Sequence, residues 1–383
     1  ITPYRVGGSV LVRQPCFLVE HWLNTHELTA RYNLAETDAK PLTVQELLEL
    51  AQTDAEELLD IPISYNPTLG SDPLRELIAG FYPGSTAANV LVTTGAMEAD
   101  FLLANILVDP GDTVIVQYPA YQVLYSVAEA RGAHVKFWQL TRDEGFKPNL
   151  KELEREIDNK TKLLVLNIPH NPTGAVINET DLKTILAWAE QKGFWVLCDE
   201  VYHDLALEPG RVPPYARTLS PRAISVGSMS KAYGLSGLRL GWFVGPQDLV
   251  DTAWQWKDYT TISISPVSDF LARLALANKK AVLARNTAIA RTNWEVLLSW
   301  LNQWSDQIDY IPPAAGVLIF PWLKRADISG TDFCQGAFDQ EGVLLVPGEA
   351  FGQPGHFRLG FGGDPETFST GLEQLSRFCA GLK

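Results

Sequence analysis

The chain has 383 residues, 46% of them hydrophobic and 20% charged, with a formal net charge of −14. That length exceeds one typical core, so two or three domains of ordinary globular balance are expected. The acidic charge argues against nucleic acid and anionic membrane as partners. In chain order, residues 1–30 read as an N-terminal arm, with Phe17, Leu18, Trp22 and Leu23 on one face of a short helix beside Glu20, His21 and His26. A loop follows over 33–43. Thr43-Val44-Gln45-Glu46 is a capping box that opens a helix to about residue 54. Residues 63–70 carry turn chemistry around Tyr65, Pro67 and Gly70, and Pro73 starts another helix.

From Val90 the pattern alternates. Strands are expected at 90–92, 113–116, 134–138, 163–166, 194–197, 223–226 and 240–244, with helices at 97–107, 121–130 and 181–191 between them. Several of the strands are apolar throughout, as in sheets covered on both faces. Strands alternating with helices predict an α/β domain with a mostly parallel central sheet. Ligands in such sheets bind beyond the carboxyl ends of the strands. Gly95, Tyr118, Asn171, Asp199 and Lys231 all fall there. Residues 247–276 and 281–304 read as helices, the first interrupted near Pro266. Strands at 316–322, 343–346 and 357–361, then a helix capped by Asp364, complete a smaller α+β domain. The expected division is 1–44 as an arm belonging to the small domain, 45–270 as the large domain and 271–383 as the small one.

The four cysteines are far apart, and the six histidines lack metal-ligand spacing, so neither a disulfide framework nor a metal is expected. No apolar run reaches the roughly 18 residues of a membrane helix, and no signal segment precedes the arm. A cytoplasmic protein is expected.

The chemistry gathers at 225–242. A strand breaks into small hydroxyl residues, presents Lys231 and reaches Arg239 eight residues later. Ser228, Ser230 and Arg239 suit a phosphate, through hydroxyls and a guanidinium fork. A lysine beside such a cradle points to pyridoxal phosphate, whose aldehyde forms a Schiff base with an amine. A lone lysine after a strand is usually a solvated surface residue; the bracketing serines, glycines and arginine are what single this one out. Ser228-Met229-Ser230-Lys231 also satisfies the S-x-x-K pattern of penicillin-binding enzymes, but its S-D-N and K-T-G companions are absent. No G-x-G-x-x-G or P-loop is present.

This stretch resembles the lysine signature of class I/II aminotransferases, the fold-type-I pyridoxal-phosphate enzymes. Five further motifs resemble that family in family order. They are Thr94-Gly95-Ala96-Met97-Glu98-Ala99, Tyr118-Pro119-Ala120-Tyr121, Asn167-Ile168-Pro169-His170-Asn171-Pro172-Thr173-Gly174, Asp199-Glu200-Val201-Tyr202 and Phe357-Arg358-Leu359. The resemblance implies a role for each. Lys231 is the Schiff-base lysine and general acid/base, and Asp199 pairs with the pyridine nitrogen. Asn171 and Tyr202 hydrogen-bond the ring hydroxyl, and Tyr121 stacks on the ring. Gly95, Ala96 and Met97 offer N–H groups to the phosphate at a helix start, with Ser228, Ser230 and Arg239. Ala96 stands where the family usually has a hydroxyl. Arg358 binds the substrate carboxylate. Tyr65 reaches the phosphate of the neighbouring subunit in a homodimer with shared active sites.

A finer resemblance lies in Tyr32-Asn33-Leu34-Ala35-Glu36-Thr37 and the segment from Phe351 to Asp364. Both look like a branch that includes the cyclases making capreomycidine or enduracididine from hydroxylated arginine. Carboxylates at Glu20, Glu36 and Asp38 suit a guanidinium. Transamination is the first reading and cyclisation of a hydroxyarginine the alternative. A pyridoxal-phosphate-sensing regulator is disfavoured, because such proteins carry an added DNA-binding domain.

Overall fold

The computed structural model describes residues 5–6, 9–10, 14–208 and 210–382. Residues 1–4, 7–8 and 11–13 of the expected arm lie outside the described residues. Seven strands form the central sheet, in the order Val90–Thr93, Gly241–Val244, Ala223–Ser228, Trp195–Asp199, Thr161–Asn167, Thr113–Tyr118, His134–Gln139. All neighbours are parallel except Gly241–Val244, which runs antiparallel to both its partners. The exception arises because this strand follows the 229–240 segment directly, with no crossover helix to return the chain to the far end of the sheet.

The strands read as continuous apolar runs because both sheet faces are covered. Leu91, Val114, Val116, Leu163 and Val226 pack on helices Ala96–Leu107, Val123–Ala130 and Gln247–Lys257. Ile115, Leu164, Leu166 and Val196 pack on Leu182, Ile185, Leu186 and Ala189 of helix Glu179–Lys192. Register then aligns the polar strand ends. Asn167 lies opposite Asp199, Asp199 opposite Val226, Ser228 opposite Gly241, and Gly241 opposite Thr93.

The C-terminal part is built on the 25-residue helix Lys279–Gln303, with helices Gly330–Glu341 and Pro365–Gly381. A three-stranded antiparallel sheet sets Phe357–Gly360 between Leu318–Ile319 and Val346–Pro347. The N-terminal segment enters here, since Tyr32–Asn33 pairs in parallel with Val343–Leu344. Leu34 N–H then donates to Leu344 O, and Gly360 N–H donates to Leu34 O. Two close approaches seat the following loop. A Cβ on Gly360 would lie 1.6 Å from Glu36 O, and one on Gly362 would lie 2.2 Å from Asp38 O.

Several element bounds differ from expectation. The capping box at Thr43 forms, but its helix ends at Ala51, where Gln52 takes a left-handed φ of 53°. A separate short helix follows over Ala55–Leu59. The expected strand at 316–322 survives only as Leu318–Ile319 and Trp322–Leu323, because Pro321 supplies no N–H to a ladder. Helix Leu150–Glu156 is not anticipated from the sequence; six of its seven residues are partly or fully exposed, so it shows little apolar stripe. Among the described residues, no helix is long and apolar enough to cross a membrane.

Candidate active site

At the carboxyl ends of the central strands lies a cavity of about 460 Å³. Its walls include Lys231, Asp199, Tyr202, Asn171, Tyr121, Ala96, Met97, Ser228, Ser230, Arg239, Arg358, Glu20 and Glu36. Of the residues singled out by sequence, Tyr65, Gly95 and Tyr118 are not on this lining. Tyr65 is 83% exposed on the turn before Gly70, so within one chain it does not reach the cavity. Gly95 sits just behind the lining, as the N-cap of helix Ala96–Leu107.

The phosphate-type corner is built from backbone. Gly95 has φ 76° and ψ 166°, a region essentially closed to side-chain-bearing residues. Its own N–H donates to Thr93 O at 3.0 Å. The open donors are therefore the first N–H groups of the helix, from Ala96 and Met97, at the positive end of its dipole. A Cβ on Gly95 would lie 2.7 Å from Arg239 Nη2, so the glycine admits the guanidinium to this corner. Arg239 takes a left-handed φ of 47°, and its Nη1 donates to Ser236 O. Ser228 Oγ accepts from Ser230 N–H at 2.9 Å, which fixes both serines at the corner.

The floor carries Asp199. Its Oδ1 accepts from Val201 N–H at 3.2 Å. Burial pushes its carboxyl up to about 6, against the pull of that N–H and of Lys231. Asn167 anchors the neighbouring strand end, with Nδ2 donating to Asp199 O and Oδ1 accepting from Asn171 N–H. Asn171 Oδ1 in turn accepts from Arg358 Nη1 at 3.2 Å, and Arg358 Nη2 donates to Ala35 O. Arg358 is buried, and its Nε has no partner among the described residues. Tyr202 OH pairs with Thr37 Oγ1 at 2.8 Å.

Two carboxylates meet site residues directly. Tyr121 OH donates to Glu20 on helix Leu18–His26. Burial first, and Glu20 second, hold that phenol well above its ordinary value. Lys231 Nζ donates to Asp38 Oδ1 at 2.5 Å. Burial pulls the lysine down, but Asp38 and then Tyr202 outweigh it and leave the amine above the ordinary lysine range. Glu36 is raised by burial and by the neighbouring Asp38.

Sequence reasoning missed five polar lining residues as named site members: Glu27, Thr37, Asp100, Asn167 and Ser236. Asn167 and Thr37 lie inside the quoted motifs, so their positions were the available signal. Asp100 is one turn into helix Ala96–Leu107, buried, with Oδ1 unpartnered; burial and the nearby Asp199 hold it well above the ordinary aspartate range.

These groups fit pyridoxal 5′-phosphate. An amine, a buried carboxylate with one oxygen free of protein donors, an aromatic ring and an anion corner converge on one cavity, and each answers a different part of that molecule.

The family model "Aminotransferase class I and II" matches residues 33–375. Capreomycidine synthase of Streptomyces vinaceus is 34% identical, over 98% of this chain and 95% of that protein. A pyridoxal-phosphate-dependent aminotransferase of Streptococcus suis superposes with a TM-score of 0.92 at 34% identity, covering 97% of this chain and 99% of its own. The pyridoxal-phosphate-dependent cyclase OrfR superposes with a TM-score of 0.89 at 29% identity, covering 98% and 100%. With the sheet, the lysine and the anion corner in this arrangement, the chain belongs to the class I and II aminotransferases, fold-type-I enzymes whose cofactor is pyridoxal 5′-phosphate.

Proposed function

We propose that the protein transaminates an amino acid whose side chain is positively charged, with Lys231 carrying the Cα proton. The observation behind the substrate class is the charge content of the cavity. One buried guanidinium, Arg358, shares it with the carboxylates of Glu20, Glu27 and Glu36. A substrate with one carboxylate and a distal cation answers both sets.

Pyridoxal 5′-phosphate, when bound, supplies an electron-poor ring that takes up the electron pair of the Cα–H bond. In this reading Lys231 Nζ receives that proton and later returns it. Asp199 keeps a proton on the ring nitrogen, and Asn171 and Tyr202 hydrogen-bond the ring hydroxyl. Tyr121, tethered through its hydroxyl to Glu20, would stack on the ring. Ala96 and Met97 N–H groups, Ser228, Ser230 and Arg239 take the phosphate, and Gly95 lets Arg239 approach. Arg358, steadied by Asn171, binds the α-carboxylate, while Glu20 and Glu36 take the side-chain cation.

The same reading makes the protein a cytoplasmic homodimer, with Tyr65 serving the neighbouring subunit's phosphate. The exposure of Tyr65 and four unpaired cysteines support it. It keeps the division into 45–270 and 271–383, with the arm 1–44 on the smaller part, supported by the pairing of Tyr32–Asn33 with Val343–Leu344.

Cyclisation is the second reading, favoured by similarity to capreomycidine synthase over 98% of the chain. Here the same proton removal leads to loss of a side-chain hydroxyl and ring closure by the guanidine. The test is incubation with arginine, hydroxyarginine and neutral or acidic amino acids, with and without a keto acid. Turnover of a cationic amino acid only when a keto acid is present supports transamination. A cyclic product formed without one supports cyclisation. Turnover confined to neutral or acidic amino acids overturns the substrate class.

A further inference from the structure

Asp38, which the sequence offers as a carboxylate for a guanidinium, instead makes the closest polar contact of the reactive lysine. Its Oδ1 is 2.5 Å from Lys231 Nζ, across 193 residues of sequence. The contact is built in, because the two backbones are locked together. Ala39 N–H donates to Lys231 O at 3.0 Å, and Lys40 N–H donates to Gly362 O at 2.7 Å. A Cβ on Gly234 would lie 2.9 Å from both Ala39 O and Lys40 O, so that glycine admits the loop to the lysine segment. One residue earlier, Thr37 holds the same loop to Tyr202. The Asp38 side chain is 13% exposed and that of Lys231 29%. Asp38 is therefore occupied, which leaves Glu27, Glu36 and the second carboxylate oxygen of Glu20 for a substrate cation.

We propose that Asp38 is a positioning residue for Lys231. Its carboxylate holds Nζ as an ammonium in the cofactor-free protein, and so fixes both where the amine rests and when it gives up its proton for carbonyl addition. This rests on the reading of Lys231 as the reacting amine. The charged and titratable groups facing Lys231 are Asp38 and Glu36 from the loop, Tyr202 and Asp199 from the end of strand Trp195–Asp199 and its following turn, and Arg358 from strand Phe357–Gly360. Asp38 is faced by Lys231, by Glu36 on its own loop, and by Tyr202 and Arg358. Of these, Asp38 alone both contacts Nζ and carries the opposite charge at hydrogen-bond distance, so the ammonium is held chiefly by that pair.

The test is recharging of the full chain, stripped of cofactor, with pyridoxal phosphate as a function of pH. Carbonyl addition needs the neutral amine, so the capture rate titrates with Lys231. Asp38→Asn should move the midpoint down by about one pH unit or more, equivalent to a roughly tenfold faster capture at neutral pH. Asp38→Glu, which keeps the charge, should restore most of the wild-type profile. A 13C-methyl label on Lys231, titrated by NMR, should move in the same direction. Circular dichroism and the melting temperature establish that each variant is folded; if Asp38→Asn is not, Asp38→Ser takes its place. An unchanged midpoint in the folded neutral variants overturns the proposal, as does Asp38→Glu behaving like Asp38→Asn. The underlying reading fails separately: Lys231→Ala that still forms a borohydride-trappable adduct removes Lys231 as the reacting amine.

Discussion

Gly95 and Asp100 stand five residues apart on one helix start and make opposite demands. Gly95 is conformationally obligatory, and its missing Cβ is the space for Arg239. Gly95→Ala should cost about 1–3 kcal/mol in backbone strain and weaken pyridoxal phosphate binding roughly tenfold by displacing the guanidinium. Equilibrium titration of the stripped protein with the cofactor measures this, and unaltered affinity would refute it. Asp100 is a buried carboxyl with an orphan oxygen. Because its folded-state pKa is raised, the folded protein keeps the proton while the unfolded chain ionises above about 3.8. Stability is therefore lost as pH rises through that value toward the folded pKa. Asp100→Leu should stabilise the cofactor-free protein by about 1–3 kcal/mol at neutral pH, and the gain should shrink toward pH 3.8. Urea unfolding at several pH values decides it. Lys231 was singled out by its bracketing serines, glycines and arginine, and Asp199, Asn171 and Arg358 by motifs that resemble the family; the structure brings all four to one cavity. Asp38 was singled out only as a carboxylate suited to a guanidinium; its pairing with Lys231, and the place of Glu27 at a helix end, come from the cavity alone.

At the scale of elements, the segment 35–39 depends on a neighbour far away in sequence. Gly360 and Gly362 leave no room for side chains beneath Glu36 and Asp38. Gly360→Ala should lift that segment and disturb Glu36, Asp38 and the Thr37–Tyr202 contact together. The expected result is an active-site defect, with KM for a cationic substrate rising more than the melting temperature falls. Steady-state kinetics beside thermal unfolding provide the measurement, and an unchanged KM would count against the close approach. The strands of the central sheet were legible from their apolar runs, because both faces are covered. Helix Leu150–Glu156 was not, because its largely solvated surface shows little periodic stripe. The strand expected at 316–322 was overstated, because hydropathy does not register the hydrogen bond that Pro321 lacks.

Across the whole molecule, Asp204 ties the turn after the Asp199 strand to the long helix of the C-terminal part. It accepts from Tyr215 OH and Tyr233 OH and pairs with Lys279 Nζ at 2.9 Å, just at the start of helix Lys279–Gln303. Burial alone would raise this carboxyl, but His203 and Lys279 overcome it and hold it well below the ordinary range. Its contribution is therefore present above the ordinary aspartate pKa and lost as pH falls below it. Asp204→Ala leaves a half-buried ammonium and two phenols without their acceptor, and should cost about 1–3 kcal/mol. Denaturant unfolding at neutral pH reads this loss, and a cost below 1 kcal/mol would contradict it.

The α/β sheet was legible in apolar runs, and the lysine with its hydroxyl and arginine neighbours in one short stretch, while the family was legible only as a resemblance carried by six motifs. Tertiary structure alone decided which carboxylates meet the reactive groups. Glu20 reaches Tyr121 across 101 residues, Asn171 reaches Arg358 across 187, and Asp38 reaches Lys231 across 193. Those meetings depend on the pairing of Tyr32–Asn33 with Val343–Leu344 and on the glycines that let the 35–39 segment lie against strand Phe357–Gly360. Local patterning reports which face of an element is buried; it carries no record of what that face is buried against.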